Sequence, residues 1–229
     1  MPAEDGFWQR FWDGKASQVT DFQATGRGSM DVPGFLYTIR EIARHLRLRP
    51  QDELLDIGCG TGIVALALSP FVARIHAIDI SATMVARAEN NLSDASNVST
   101  AVGTITITNE PAASYDKVLA YSVLQYLADM AAVERAFVEI AWVLKPGGLA
   151  LLAANPDPAR RDKLVAAIEA KGDADMRRTE LDILDRTGWF AGDSLVAVAE
   201  RNGLTASVLP IHPRIWQHFY MFDVLLRRP

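Results

Sequence analysis

The sequence predicts an α/β domain built around one central, largely parallel sheet. Three observations carry that prediction. Between residues 53 and 154 short apolar runs alternate with helical stretches, the signature of βαβ units with helices on both faces of a sheet. The first of those runs passes through three alternating glycines straight into a helix. The chain has 229 residues, of which 49% are hydrophobic and 22% charged, enough to bury one sizeable core without disulfides or metal.

The first fifty residues read as a helical lead-in. Phe7, Trp8, Phe11 and Trp12 recur at helical spacing and form one aromatic face. That face suits a helix packed permanently on the core, or a lid that keeps water from a ligand. Gly26, Gly28 and Pro33 mark a loop, and residues 35–48 read as an amphipathic helix ending near Pro50. Strands are then expected over 53–57, 74–80, 98–102, 115–121 and 149–154. Helices are expected over 63–68, 82–92 and 131–144, with Ser81 as an N-cap and Pro146-Gly147-Gly148 as a stop. Beyond Pro156 and Pro158, helices are expected over 160–170 and 194–202. Strands over 205–209 and 217–227 are close enough to pair antiparallel. No linker divides the chain, so it reads as a single domain: lead-in 1–49, ligand-binding core 50–155, and an insert with closing strands over 156–229.

Composition narrows the function classes. The net charge of −5 lacks the basic footprint of a nucleic-acid binder. No apolar stretch reaches the 18 or so residues of a membrane span, and no signal-peptide pattern opens the chain. The lone Cys59 forms no internal disulfide, which fits the cytoplasm. No metal is expected. A monomer or a homodimer is expected.

The informative segment is Leu54-Leu55-Asp56-Ile57-Gly58-Cys59-Gly60-Thr61-Gly62. Glycines allow positive φ and close approach of a ligand, and the following helix offers free N–H groups. Two ligand classes compete for such a loop. A dinucleotide fingerprint wants Gly or Ala where this chain has Ile63, and Gly62 comes one residue early. Asp79, 21 residues after Gly58, suits the ribose diol of either ligand. Asp56 beside the loop disfavours a pyrophosphate and suits an ammonium or a sulfonium. Together these favour S-adenosylmethionine over NAD.

The segment resembles motif I of the class I S-adenosylmethionine-dependent methyltransferases. The resemblance continues through Ala77-Ile78-Asp79-Ile80-Ser81, Tyr115-Asp116-Lys117-Val118 and Leu144-Lys145-Pro146-Gly147-Gly148, over roughly residues 50–155. It implies a Rossmann-like three-layer sandwich with strand order 3-2-1-4-5-7-6, the last strand antiparallel. It also implies S-adenosyl-L-methionine as the methyl donor. Asp56 and the Gly58–Cys59–Gly60–Gly62 loop then face the methionine part, Asp79 takes the ribose hydroxyls, and Ile80 and Met84 lie against adenine. Relatives often carry an acid after the third strand. This chain has Gly103-Thr104-Ile105 there, so Thr104 or the Ile105 backbone is the adenine partner expected. Tyr121 and Ser122 border the methionine end.

The acceptor is less legible. The N-P-P-Y tetrapeptide of enzymes that methylate nucleobases or glutamine amides is missing after the fourth strand, where the chain reads Tyr121-Ser122-Val123-Leu124. A small molecule with an oxygen acceptor is expected. The alternatives are a small amine, or a donor-binding protein without transfer activity. An alcohol acceptor needs a base, and His212, in the loop before the last strand, is the candidate. Tyr126 suits either the acceptor pocket or the core. The basic stretch from Arg160 to Arg178 suits a solvated helix face or a rim that attracts an anionic acceptor. Residues 155–161 resemble methyltransferases encoded with saccharide-building enzymes, which suggests a saccharide or another secondary metabolite.

Overall fold

The computed structural model describes residues 6–28 and 30–229. Seven strands form one sheet in the order β3-β2-β1-β4-β5-β7-β6. They are β1 (Glu53–Ile57), β2 (Arg74–Asp79), β3 (Val98–Val102), β4 (Tyr115–Tyr121), β5 (Leu144–Pro156), β6 (Thr205–Pro210) and β7 (Met221–Arg227). The pairs among β1 to β5 are parallel, and β7 runs antiparallel to both β5 and β6. The expected strand order therefore stands.

Strand alternation sends successive side chains to opposite faces, and each face meets its own helices. On one face Leu54, Ile75, Leu119 and Leu151 pack with Ile39, Ile42 and Leu46 of α3 (Val32–Leu46) and with Val64 and Leu68 of α4 (Ile63–Leu68). On the other face Leu55, Val118, Ala150 and Leu152 pack with Val133, Phe137 and Ile140 of α6 (Met130–Val143) and with Leu195 and Val198 of α9 (Gly192–Arg201). The apolar runs of β1 and β4 belong to strands covered on both sides. Between β2 and β3 runs α5 (Ala82–Asn91), capped as expected by Ser81, whose Oγ accepts from the Met84 N–H at 3.0 Å.

The N-terminal helices are α1 (Phe7–Lys15) and the single turn α2 (Asp21–Ala24). They pack on the α5 side and are pinned there by polar contacts. Asp13 accepts from Ser81 Oγ (2.5 Å) and Thr83 Oγ1 (3.0 Å). Arg87 donates to Asp21, to Ala16 O and to Gln18 O.

Three expectations are corrected. β5 begins at Leu144, directly after α6, because the Gly147 N–H donates to Arg228 O and the Arg228 N–H to Gly148 O, which ties the Pro-Gly-Gly segment to the sheet. The stretch 217–227 is split: residues 216–219 form a 3-10 turn and only Met221–Arg227 pair. An additional helix, α8 (Ala174–Arg186), follows α7 (Arg161–Glu169). It buries Leu184 alone, so its mostly polar sequence gave no apolar stripe to read.

Candidate active site

Three strand ends, those of β1, β2 and β4, meet at the carboxyl edge of the sheet, where a doubly wound fold binds its ligand. The β1 loop is a tight structure of left-handed residues. Gly58 has φ +74° and Gly62 φ +78°. A Cβ on Gly58 would fall 2.5 Å from Val123 Cγ2, and one on Gly62 2.9 Å from Leu92 Cδ1. Glycine at both positions is thus required by conformation and by space. The Gly58 and Cys59 N–H groups donate to Ile78 O at 2.7 and 3.0 Å, locking the loop to β2.

A cavity of about 380 Å³ opens above this loop. Gly58 and Gly60 form part of its floor. Asp79, Ile80 and Met84 line it from the end of β2 and the start of α5, and Gly103, Thr104 and Ile105 line it from beyond β3. Tyr121 and Ser122 close the β4 side. Ser122 has φ +64°, a strained conformation for a non-glycine residue, and its N–H is held by Ala153 O at 2.8 Å. Thr104 Oγ1 already accepts from the Ile107 N–H at 3.2 Å. Ten of the thirteen residues expected at a donor site therefore share one cavity. Asp56, Cys59 and Gly62 lie off its wall. Cys59 is a packing residue whose thiol is pushed up by burial.

Asp79 is buried, and both its oxygens are occupied on one side. Oδ2 accepts from the Gly60 N–H and Oδ1 from the Ser81 N–H, each at 2.9 Å. Burial raises its carboxyl above the usual range, and the backbone donors oppose that rise. Asp56 lies deeper, and burial pushes it up to about 7. The nearby Arg27 charge pulls it down and Asp79 pushes it up. Asp56 Oδ2 has no hydrogen-bond partner among the described residues.

Arg27 was not legible in the sequence. It lines the cavity with its guanidinium 4.2 Å from the Tyr121 ring centroid, and Nη2 reaches Tyr121 O at 3.5 Å. Its Nε is a buried donor without a partner among the described residues. A loop arginine 94 residues from its partner leaves no local pattern. The other N-terminal contribution is aromatic: Trp8 and Trp12 of α1 line the cavity and pack on Tyr126, with ring centroids 4.6 and 5.4 Å apart. Tyr126, which suited either pocket or core, lines the cavity and accepts from Gln125 Nε2 at 2.8 Å.

His212 is not at the cavity. It stacks on Tyr37 at 4.6 Å, and its Nδ1 accepts from the Arg214 N–H at 3.1 Å. The other histidines are also off the wall. The basic stretch of α7 and α8 is partly neutralised, with Arg161 on Asp185 and Lys171 on Glu180, and none of it lines the cavity. No cluster of potential metal ligands occurs among the described residues. No described helix is long and apolar enough to cross a membrane.

A mostly parallel seven-stranded sheet, a three-glycine loop and a buried acid at the second strand end define a nucleoside-binding α/β domain with an antiparallel closing strand. Residues 55–152 match the methyltransferase-domain family, in line with the resemblance to the class I S-adenosylmethionine-dependent methyltransferases. It is similar to malonyl-[acyl-carrier protein] O-methyltransferase of Halalkalibacterium halodurans, 37% identical over 59% of this chain and 52% of that protein. It is also similar to phosphoethanolamine N-methyltransferase 1 of Arabidopsis thaliana, 29% identical over 65% of this chain and 30% of that one. The matches thus span about half or less of these relatives' lengths. A Haloferax volcanii methyltransferase solved in complex with the Trm112 activator shares the fold, with a TM-score of 0.72 and 19% identity, over 95% of this chain and 97% of that one.

Proposed function

We propose that the chain transfers the methyl group of S-adenosylmethionine to an oxygen of a small molecule. The observation that carries the donor half is a pair of buried atoms, Asp56 Oδ2 and Arg27 Nε, each lacking a partner among the described residues. A buried acceptor and a buried donor left unpaired cost free energy unless a ligand completes them. The amino-acid end of the donor is a zwitterion. Its carboxylate suits Arg27 on the wall, and its ammonium is favoured by the Asp56 carboxylate beneath the loop. Asp79, with lone pairs beyond the two that Gly60 and Ser81 occupy, would accept from the ribose hydroxyls. Ile80, Met84 and Ile105 offer adenine an apolar slot.

The bound donor supplies an electrophilic methyl on a good leaving group. What remains for the chain is to align an acceptor with that methyl and to exclude water. Trp8 and Trp12 cover the cavity and Tyr126 walls it, so α1 does both. The oxygen acceptor is supported by the higher identity to the O-methyltransferase relative, 37% against 29% for the N-methyltransferase. No histidine reaches the cavity, which weighs against a neutral saccharide hydroxyl as acceptor.

Calorimetry with S-adenosylhomocysteine tests the donor half. Micromolar affinity, about −8 kcal/mol, is expected. No heat and no thermal shift would refute it. A labelled methyl group that binds but reaches no acceptor would instead favour a donor-binding protein without transfer activity.

A further inference from the structure

Resting on the methyl-transfer reading, we infer that the acceptor is a carboxylate, esterified without any proton removed by the protein. The described titratable groups on the cavity wall are Arg27, Asp79, Tyr121, Tyr126 and Arg135. Neither arginine accepts a proton. Asp79 is held by two backbone donors and is committed to the ribose in this reading. The Tyr126 hydroxyl is pushed up by burial, and so is that of the neighbouring Tyr220. Both remain hydrogen-bond donors at neutral pH. Asp56 lies below the loop, off the wall.

A site of this kind sorts acceptors by what they bring. An aliphatic alcohol arrives protonated and finds no base among the described wall residues. A phenol meets the same burial that raises Tyr126, and it remains protonated too. An aliphatic amine arrives as its ammonium ion, which has no lone pair, and must lose that proton before it can attack. A carboxylate, with an ordinary pKa near 4, starts far enough below neutral to arrive ionised, and the Arg135 charge on the wall opposes the rise that burial imposes.

In the step itself a carboxylate oxygen lone pair attacks the methyl carbon. The carbon–sulfur bond breaks with its electron pair remaining on sulfur. The products are a methyl ester and a neutral thioether, and no proton moves. One negative and one positive charge disappear together. An aromatic wall of Trp8, Trp12 and Tyr126 screens charge poorly, so it favours that neutralisation. Of the described wall residues, Arg135 carries a charge that the donor does not engage in this reading, which also suits an entering anion.

The test uses the full chain, donor labelled in its methyl group, and acceptors matched in shape. One set is phenylacetate, 2-phenylethanol and 2-phenylethylamine; a second is decanoate, decanol and decylamine; benzoate and succinate are added. Mild alkali releases a methyl ester's label as volatile methanol and leaves ethers and methylamines intact. Volatile label is expected from carboxylates at a rate at least tenfold above any label in the alcohol or amine arms. At saturating donor that rate is expected to be flat from pH 6 to 9. Alkali-stable label from an alcohol or amine overturns the inference, as does the failure of every carboxylate to give volatile label. S-adenosylhomocysteine calorimetry on the same preparation separates the two readings. Lost binding defeats the donor reading, whereas intact binding without ester defeats the acceptor inference alone.

Discussion

Donor binding should expel a proton from Asp56. The carboxyl is buried and pushed up to about 7, so at pH 6 roughly nine in ten molecules carry it protonated. An ammonium above the loop, with Oδ2 beneath it, favours the charged form and lowers that pKa, as a nearby opposite charge does by about 1–3 units. The ligand's own amine stands beside an ionised carboxylate, which makes it more basic than a peptide α-amino group at about 7.7–8.0, so it stays charged and neither takes nor gives a proton at pH 6. Binding at pH 6 should therefore release between about four-tenths and nine-tenths of a proton, and at pH 8 less than about a tenth. Calorimetry with S-adenosylhomocysteine in buffers of different ionisation enthalpy reads this number as a slope. A slope of zero at pH 6 would refute the placement of the ammonium, as would an unchanged slope in Asp56→Asn.

Four further outcomes follow from the same site. Because Asp56 binds its proton more tightly folded than unfolded, the ligand-free protein should lose stability as pH rises from about 4 to about 7. The loss is at most about 4 kcal/mol, and Asp56→Asn should flatten that part of the melting profile; an identical profile in the variant speaks against it. If Asp79 accepts from both ribose hydroxyls as proposed, Asp79→Ala removes two charged hydrogen bonds, each worth roughly 1.5–3 kcal/mol, so S-adenosylhomocysteine affinity should fall at least tenfold with the circular dichroism unchanged. Arg27→Ala should likewise cost at least tenfold in affinity, and an unaltered dissociation constant would remove Arg27 from the carboxylate end. Deleting residues 1–18 removes the aromatic helix and keeps Arg27. Turnover should drop on the order of a hundredfold, with a much smaller effect on melting temperature, and normal turnover would show that the helix is no cover.

The sequence made the loop and strand ends that line the cavity legible because their geometry is local. Gly58, Gly60 and Gly62 occupy consecutive turns of one loop, Asp79 ends the next strand, and Ser81 caps the helix that follows. Each role is fixed by a few neighbours in the chain, so spacing carries the information. Arg27 is the opposite case. Its position depends on a return of the chain across the sheet edge to Tyr121, and nothing near residue 27 encodes that distance. His212 looked available because a loop before the last strand suggests a rim. Its ring instead stacks on Tyr37 of α3, a tertiary contact with no periodic trace. The helix α8 escaped for an energetic reason: with one buried side chain it has no stripe, and its Asp173 cap alone is a weak signal.

The tertiary contributions also explain why donor and acceptor sites should form together. The segment that carries Arg27 is continuous with the one that carries Trp8 and Trp12, and both are held to α5 by Asp13 and Arg87. Ser81, which Asp13 accepts from, also supplies the backbone donor to Asp79. A ligand that engages Asp79 on one side and Arg27 on the other therefore ties the N-terminal segment to the β2 edge. Every contact it makes with Arg27 supports the aromatic wall, because both lie on one continuous segment anchored to α5. By linkage, whatever free energy the wall contributes to holding an acceptor must appear equally as tighter donor binding once the acceptor is present. Removing the aromatic helix then weakens that coupling even though Arg27 remains. For this reason the truncation and the Arg27 substitution should differ in kind: one impairs the reaction, the other the recognition of the donor.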